Sequence, residues 1–398
     1  MFTTARKRIL LVSFSNLKSD PRVLAHLAVL STFGDVTTVG FGGKPEAAQE
    51  HLELSVRRAP FRTLLLIASL IFRVHFLSGR LLGHSTEVKR FIRRTDSHLD
   101  LICANDATSL FVCSSLSKEF GCPMWVDMHE YAPLENEGDL KWRLLMQPFA
   151  AAACQKVLPF AAAVSTVGRG IQARYEAECG RLVELIRNTT DFSPSLKVTT
   201  QPIDPSAMFQ LVHVGVAIRA RVLENMFEAI QDLAGVSLDL FLLPTDLKYF
   251  NELLARSKSQ RNICLHAPVP SEEIVFLLSQ FDCGVVTIPP TNFNYANCLP
   301  NKFFQYLQAR IPVITGPIPE VAEIVNSFGI GWVCEDFSPS AIRGTIQLAR
   351  EHNRAAMADR LNLTAYAFTR QHDDDVRKRI VRRLLANSQE VSNTGGHA

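Results

Sequence analysis

Tyr295 to Glu323 reads YANCLPNKFFQYLQARIPVITGPIPEVAE. The segment parses as a polar loop, a helix, a short buried strand and the start of a second helix. Pro300 suits a first helical turn, where a missing N–H has no intrahelical partner to lose. Phe303, Phe304 and Leu307 recur at helical spacing and make one apolar face. Pro312 stops that helix, Val313-Ile314-Thr315 is a β-type run, and the next helix opens near Pro317–Glu320. Lys302 then lies in a helix start facing the C-terminal end of a parallel strand. A cation there opposes the macrodipole unless an anion joins it, which points to a nucleotide or its phosphates.

Working outward, strands and helices alternate on both sides of this segment. Arg8–Phe14 is a buried strand, Ser15–Asp20 a polar loop, and Pro21 opens a helix over Arg22–Thr32. Strands follow at Val36–Val39, Leu99–Cys103, Met124–Asp127, Val164–Thr166 and Val183–Ile186, with helices at Ala107–Glu119, Ala151–Ala162 and Gly168–Glu178. Residues 191–206, DFSPSLKVTTQPIDPS, read as a linker. The alternation restarts with strands at 209–215, 238–243, 263–266 and 282–287 and helices at 223–233, 247–257 and 271–280. Residues 338–386 read as helical and 388–398 as a disordered tail. Such alternation predicts an α/β fold with two parallel sheets, and in open α/β sheets ligands bind beyond the carboxyl ends of the strands. The expected plan is an N-terminal domain over 1–190, the linker, a C-terminal domain over 207–364, and a helix over 365–387 crossing back to the first domain.

Composition narrows the function. The 398 residues carry a formal charge of +3, which gives no argument for nucleic acid as the main ligand. Nine cysteines are scattered without CxxC pairs and read as small buried apolar groups rather than a zinc site or disulfide frame. No signal peptide is evident, and Leu64–Leu77 is short of the roughly 20 apolar residues a membrane span needs. The expectation is a cytoplasmic chain, either free or peripheral on the inner face of a membrane.

Several motifs now fall into order. Asn301-Lys302-Phe-Phe-Gln-Tyr-Leu followed by Ile-Pro-Val-Ile resembles the NK-x-x-E-Y-L…PV signature of GT-B glycosyltransferases of the family 4 type. ILLVSFSNLKSDPRV, VDMHEYAP, VSTVGRGIQARY, IRNTTDF and HVG-x5-R-x-LE resemble that group's other motifs in the same order. The resemblance covers most of residues 8–364. It implies two Rossmann-like domains facing each other across a cleft, the first taking an acceptor and the second a UDP- or GDP-linked sugar. It implies retaining transfer of a hexosyl group, with the nucleotide sugar as substrate and no cofactor.

The departures are specific. A glutamate often holds the ribose where Gln305 stands, and a second acidic position is Asn297. The N-terminal loop reads Ser15-Asn16-Leu17 in place of a glycine pair, and Val222 follows Arg221 where glycine is common. These amides favour an alternative, a lapsed GT-B protein that binds nucleotide or a partner subunit.

Cleavage of a sugar–diphosphate bond needs fixed cations at the phosphates and a polar group near the anomeric carbon. Arg221 and Lys302 are the candidate cations, with Arg219 as rival to Arg221, and Gly215, Asn301, Gln305 and Asn297 complete the donor set. Either arginine could instead be a solvated loop residue. His129 and Glu130 follow a strand end and are the candidate catalytic pair, although a satisfied, partly buried histidine is the plainer reading. Asp20 and Arg22 at the first strand–helix turn, and Asp106, are candidate acceptor or phosphate contacts; Asp20 and Asp106 fit helix caps equally well. Gly316 allows a ligand close to the backbone or simply makes a turn. No metal is expected, because Asp373-Asp374-Asp375 reads as a solvated charge run in the tail helix rather than a motif at a strand end.

Residues 57–94 hold Arg62, Arg73, Arg80, Arg90, Arg93 and Arg94 among Leu, Ile and Phe, with Glu87 the lone acid. That reads as a basic amphipathic element for an anionic membrane surface, or as a packed helix with snorkelling arginines. The membrane reading carries with it a lipid-linked acceptor, as in envelope glycan assembly.

Overall fold

The computed structural model describes residues 6–55, 59–95, 98–196, 207–352 and 354–394. The chain divides into two compact units, Met1–Arg187 with Asp374–Ala398, and Asn188–Asp373.

In the first unit the strands are β1 (Lys7–Asn16), β2 (Gly34–Phe41), β3 (Glu50–Glu53), β4 (Leu101–Asn105), β5 (Met124–Met128), β6 (Ala163–Thr166) and β7 (Glu184–Leu185). They form one sheet in the order β3-β2-β1-β4-β5-β6-β7, and every pairing is parallel. Ile9, Leu10, Leu11 and Val12 are all buried, as a strand covered on both faces requires. The helix Arg370–Thr394 belongs here: Ile380, Val381, Leu384 and Leu385 pack into the core with Ile9, Leu11, Val23 and Trp125.

In the second unit the strands are β8 (Phe209–Val216), β9 (Val236–Leu243), β10 (Ile263–His266), β11 (Cys283–Val286), β12 (Val313–Thr315) and β13 (Gly331–Val333). Their order is β10-β9-β8-β11-β12-β13, again parallel throughout. In both sheets the strand order therefore reverses beside the first strand, at β1/β4 and at β8/β11. A crevice for ligand opens at such a switch point.

The Asn301–Gln308 helix lies on the second sheet. Phe303, Phe304, Tyr306 and Leu307 are fully buried, and truncating one such phenylalanine to alanine costs about 3–5 kcal/mol. A Cβ at Gly284 would meet the Tyr306 ring at 2.5 Å, so only glycine lets this helix settle onto β11. Arg310, at φ 61, ends the helix: its Nη1 donates to the carbonyls of Gln308 (2.7 Å) and Leu307 (3.2 Å).

Several expectations change. Residues 388–394 are helical rather than disordered, because nothing from Asn387 to Thr394 breaks a helix before Gly395-Gly396. Residues 395–398, like 197–206 of the expected linker, lie outside the described residues. The stretch 338–386 is three α-helices, Pro339–Glu351, Ala358–Ala367 and the one from Arg370, with a 3-10 turn at Arg354–Met357. A helix runs over Leu140–Val157, capped by Asp139 and containing Pro148, where only its later half was read. The interior proline masked it, since proline removes a helical hydrogen bond. The three-residue β13 is too short to show a pattern. Cys264 is exposed rather than buried and sits near Asp239 and His266, whose ring lies 2.6 Å from the Asp239 carboxylate at the sheet edge. Asp373 and Asp374 are not a solvated run: Asp373 accepts from Thr189, and Asp374 pairs with Arg377 at 2.8 Å.

Candidate active site

In the second unit, Lys302 sits at the β8/β11 switch point. The Nδ1 of His213, on β8, donates to the Val285 carbonyl of β11 at 2.9 Å. Its Nε2 is thereby the lone-pair nitrogen, and it lies 3.1 Å from Lys302 Nζ. Burial, with Lys302 adding to it, holds His213 well below the ordinary histidine range. Burial and the Arg221 charge push Lys302 well below the ordinary lysine range. Lys302 threads past Gly215, where a Cβ would stand 2.6 Å from Nζ.

Arg221 closes a turn of 3-10 helix over Arg219–Arg221 and lies over the Tyr295 ring at 4.9 Å. Its Nε is buried with no hydrogen-bond partner among the described residues. Arg219 points elsewhere, pairing with Glu252 at 2.7 Å. Val222 takes φ 47, a left-handed conformation that costs a β-branched residue on the order of 1–2 kcal/mol. The glycine common at that position in the resembling family would carry no such strain.

Gln305 follows Lys302 by one turn and is partly exposed. Asn301 is exposed at the first turn, where no side chain caps the helix. Asn297 is committed locally, its amide donating to the Phe293 carbonyl at 2.8 Å. Gly316 has a packing role: a Cβ there would meet the Phe337 ring at 2.1 Å.

In the first unit, Asp127 at the end of β5 is the hub of a buried network. Arg22 grips it from Nε at 2.6 Å and Nη2 at 2.8 Å, and Ser165 donates to the same carboxylate. Arg22 Nη1 donates to the Ile186 carbonyl at 2.9 Å. Arg22 is thus buried and engaged with the protein itself rather than exposed at the turn; it occupies the second position of the Pro21–Leu30 helix. Asp20 caps that helix, accepting from the backbone N–H groups of Arg22 and Val23.

His26 is fully buried, with Nε2 2.9 Å from Asp127 Oδ2 and Nδ1 accepting from Arg377 Nε at 3.2 Å. Those partners fix the proton on Nε2. Burial lowers its pKa to about 4, against the pull of Asp127. Burial alone would raise the Asp127 pKa, but Arg22 and the histidines outweigh it and hold the carboxyl well below the usual range.

His129 follows β5. Its Nε2 is 3.3 Å from Asp127 Oδ2 and its Nδ1 is 3.6 Å from Asp106 Oδ2. The Nε2 contact is poorly aligned for a hydrogen bond, so its content is mainly electrostatic. Burial disfavours the imidazolium, but Asp106 and Asp127 outweigh it and raise the pKa. Asp106 takes φ 60 at the first turn of its helix, and its side chain accepts the His129 backbone N–H at 3.2 Å. Glu130 is exposed, and its carbonyl accepts from Tyr175.

The basic segment divides. Arg90, Arg93 and Arg94 lie on a helix over Ser85–Thr95 that buries Val88 and Ile92, and Arg93 pairs with Glu119 at 2.7 Å. Arg62, Arg73 and Arg80 are exposed on or beside the helices Pro60–Ile71 and His75–Leu82. Among the described residues no helix is long and apolar enough to cross a membrane.

Sequence reasoning singled out neither His213, His26 nor Arg377. His26 and His213 sit in an apolar helix and strand and read as core, whereas Arg377 is one of many charged residues in its helix. The His-Val-Gly at 213–215 was the available signal, since Gly215 makes room beside the histidine.

Solved structures share this fold along the whole chain. Sucrose-phosphate synthase from Thermosynechococcus elongatus superposes with TM-score 0.73 at 13% identity, covering 96% of this chain and 100% of that one. Anabaena HepE in complex with UDP-glucose gives 0.65 at 15%, covering 95% and 99%. An E. coli structure described as trehalose-6-phosphate bound with UDP-2-fluoro glucose gives 0.64 at 10%, covering 94% and 99%. No protein-family model matches, and no curated protein matches. The chain has the GT-B glycosyltransferase fold, an α/β architecture with two parallel sheets.

Proposed function

We propose that this protein is a retaining glycosyltransferase that moves a hexosyl group from a UDP- or GDP-linked donor to a glycan or lipid-linked acceptor. The observation that carries the reading is Lys302. It is buried beside His213 and Arg221, and no carboxylate pairs with either cation among the described residues. A buried cation without a counter-ion is costly; a donor diphosphate would supply the charge. The position at the β8/β11 switch point suits a nucleotide, and structures of like fold carry UDP and UDP-glucose.

In this reading Lys302 and Arg221 stabilise charge on the leaving diphosphate, and Gln305 meets the ribose. His129 is the group assigned to the reacting sugar. Held between two carboxylates, it offers N–H donors rather than a base. The leaving phosphate takes the acceptor proton on the same face, so no protein nucleophile and no metal are required. Glu130 and Asp106 remain acceptor-side candidates. An acceptor of envelope glycan assembly, met at the inner face of a membrane, fits the exposed arginines of the first unit.

The amides at 297 and 305 favour one second reading, a nucleotide-binding subunit without turnover. A panel of UDP- and GDP-sugars, scored for nucleotide release with and without lipid acceptors, separates the two. Binding without release for every donor would sink the transferase reading.

A further inference from the structure

We infer that the paired helices Pro60–Ile71 and His75–Leu82 dock flat on an anionic lipid bilayer through Phe61, Leu64, Ile67, Ile71, Phe72 and Phe76. The inference deepens the transferase reading, and rests on it only in naming where the acceptor is met.

The first helix has two distinct faces. Leu66, Ser69 and Leu70 point into the protein and are buried. Phe61, Leu64, Ile67 and Ile71 recur every three or four residues on the other side, and Phe61 is 73% and Leu64 66% exposed. Phe72 (78%) and Phe76 (62%) continue the face through the turn at Arg73, whose φ of 54 folds the second helix back. Ser69 and Ser78 hydroxyls meet at 2.9 Å and tie the two helices into one surface. A helix over Leu140–Val157 packs against both and adds exposed Leu140 and Leu144. Isolated exposed leucines are ordinary, but a contiguous apolar face of this kind marks an interaction site.

Charge selects the occupant. From Ala59 to Leu82 the chain has Arg62, Arg73 and Arg80 and no acid, and the adjoining helix contributes exposed Lys141 and Arg143. An apolar face whose own two helices carry arginines and no acid is the pattern of a helix lying in the headgroup layer, although Asp139 at the start of the adjoining helix is also exposed. A symmetric dimer through the same face would set these like charges against their own copies. The Pro60–Ile71 helix has 12 residues, far short of the roughly 20 needed to span, so it lies in the interface. The arginines alone suggested a patch reaching Arg94; the apolar face shows that it is centred on the two earlier helices.

Vesicle flotation tests this with the full chain. Phosphatidylcholine vesicles containing phosphatidylglycerol should carry the wild type up the gradient, and pure phosphatidylcholine should carry less. L64E/I71E should abolish flotation while leaving UDP affinity and unfolding temperature unchanged. R62Q/R73Q/R80Q should weaken it about fivefold per charge removed. The inference is overturned if the wild type does not float with anionic vesicles, or if L64E/I71E floats as well as wild type. It is equally overturned if the wild type is a dimer that L64E/I71E dissociates. A protein that floats but binds no nucleotide would keep the docking surface and remove the transferase reading; binding of UDP without flotation would do the reverse.

Discussion

Lys302 Nζ lies 3.1 Å from Nε2 of His213, a neutral imidazole whose other nitrogen is tied to the Val285 carbonyl. The buried Lys302 amine thus rests on one neutral lone pair, and burial with the nearby Arg221 charge lowers its pKa well below the ordinary lysine range.

Lys302→Met is expected to weaken UDP about 10- to 100-fold, the range of a charged hydrogen bond, while changing uridine affinity little. Calorimetry with both ligands reads the difference. Equal losses would put Lys302 away from the phosphates. UDP affinity of the wild type should also fall as pH rises through the depressed pKa of Lys302, well before an ordinary lysine would titrate.

Gln305→Glu tests the ribose assignment. A carboxylate accepting from ribose hydroxyls is stronger than an amide by about 1 kcal/mol, so uridine should bind roughly fivefold tighter. No change in uridine affinity would remove Gln305 from the nucleoside site.

Val222→Gly should relieve a left-handed β-branched residue, and the net gain is about 1 kcal/mol in urea unfolding after the entropy of glycine is counted. A loss of stability would mean that the valine side chain contributes packing that outweighs its strain.

Arg22→Leu would leave the Asp127 carboxylate buried beside far weaker partners, at a cost of about 3–5 kcal/mol. R22L/D127L should cost less than the sum of the single changes. Additive costs in a double-mutant cycle would contradict the pairing.

The His26 pKa is depressed to about 4 in the folded protein. Its stabilising contribution is present above the unfolded value and is lost as pH falls from about 6.5 toward 4, by about 3 kcal/mol in all. Unfolding measured across that window should show a slope that His26→Gln reduces. His129 runs the other way: its pKa is raised, so its favourable contacts are complete in acid and fade as pH rises through the folded value. A proton titration of the His129 ring should therefore shift down in Asp106→Asn.

The sequence determined the alternation of strand and helix, the parallel sheets and the place of Lys302 in a helix start, because those follow from local periodicity and breakers. The first half of the Leu140–Val157 helix and all of β13 are illegible in the chain: Pro148 hides the one and three residues are too few for the other. Tertiary structure alone decided the roles of the charged residues. Arg22 and Arg221 look alike in the chain, yet one is clasped by Asp127 and the other has an Nε with no partner among the described residues. His213 reads as strand core until β11 arrives beside it with the Val285 carbonyl. Partners separated by 72 to 105 residues set each group's charge and freedom, and no local pattern encodes which strand will lie next to which.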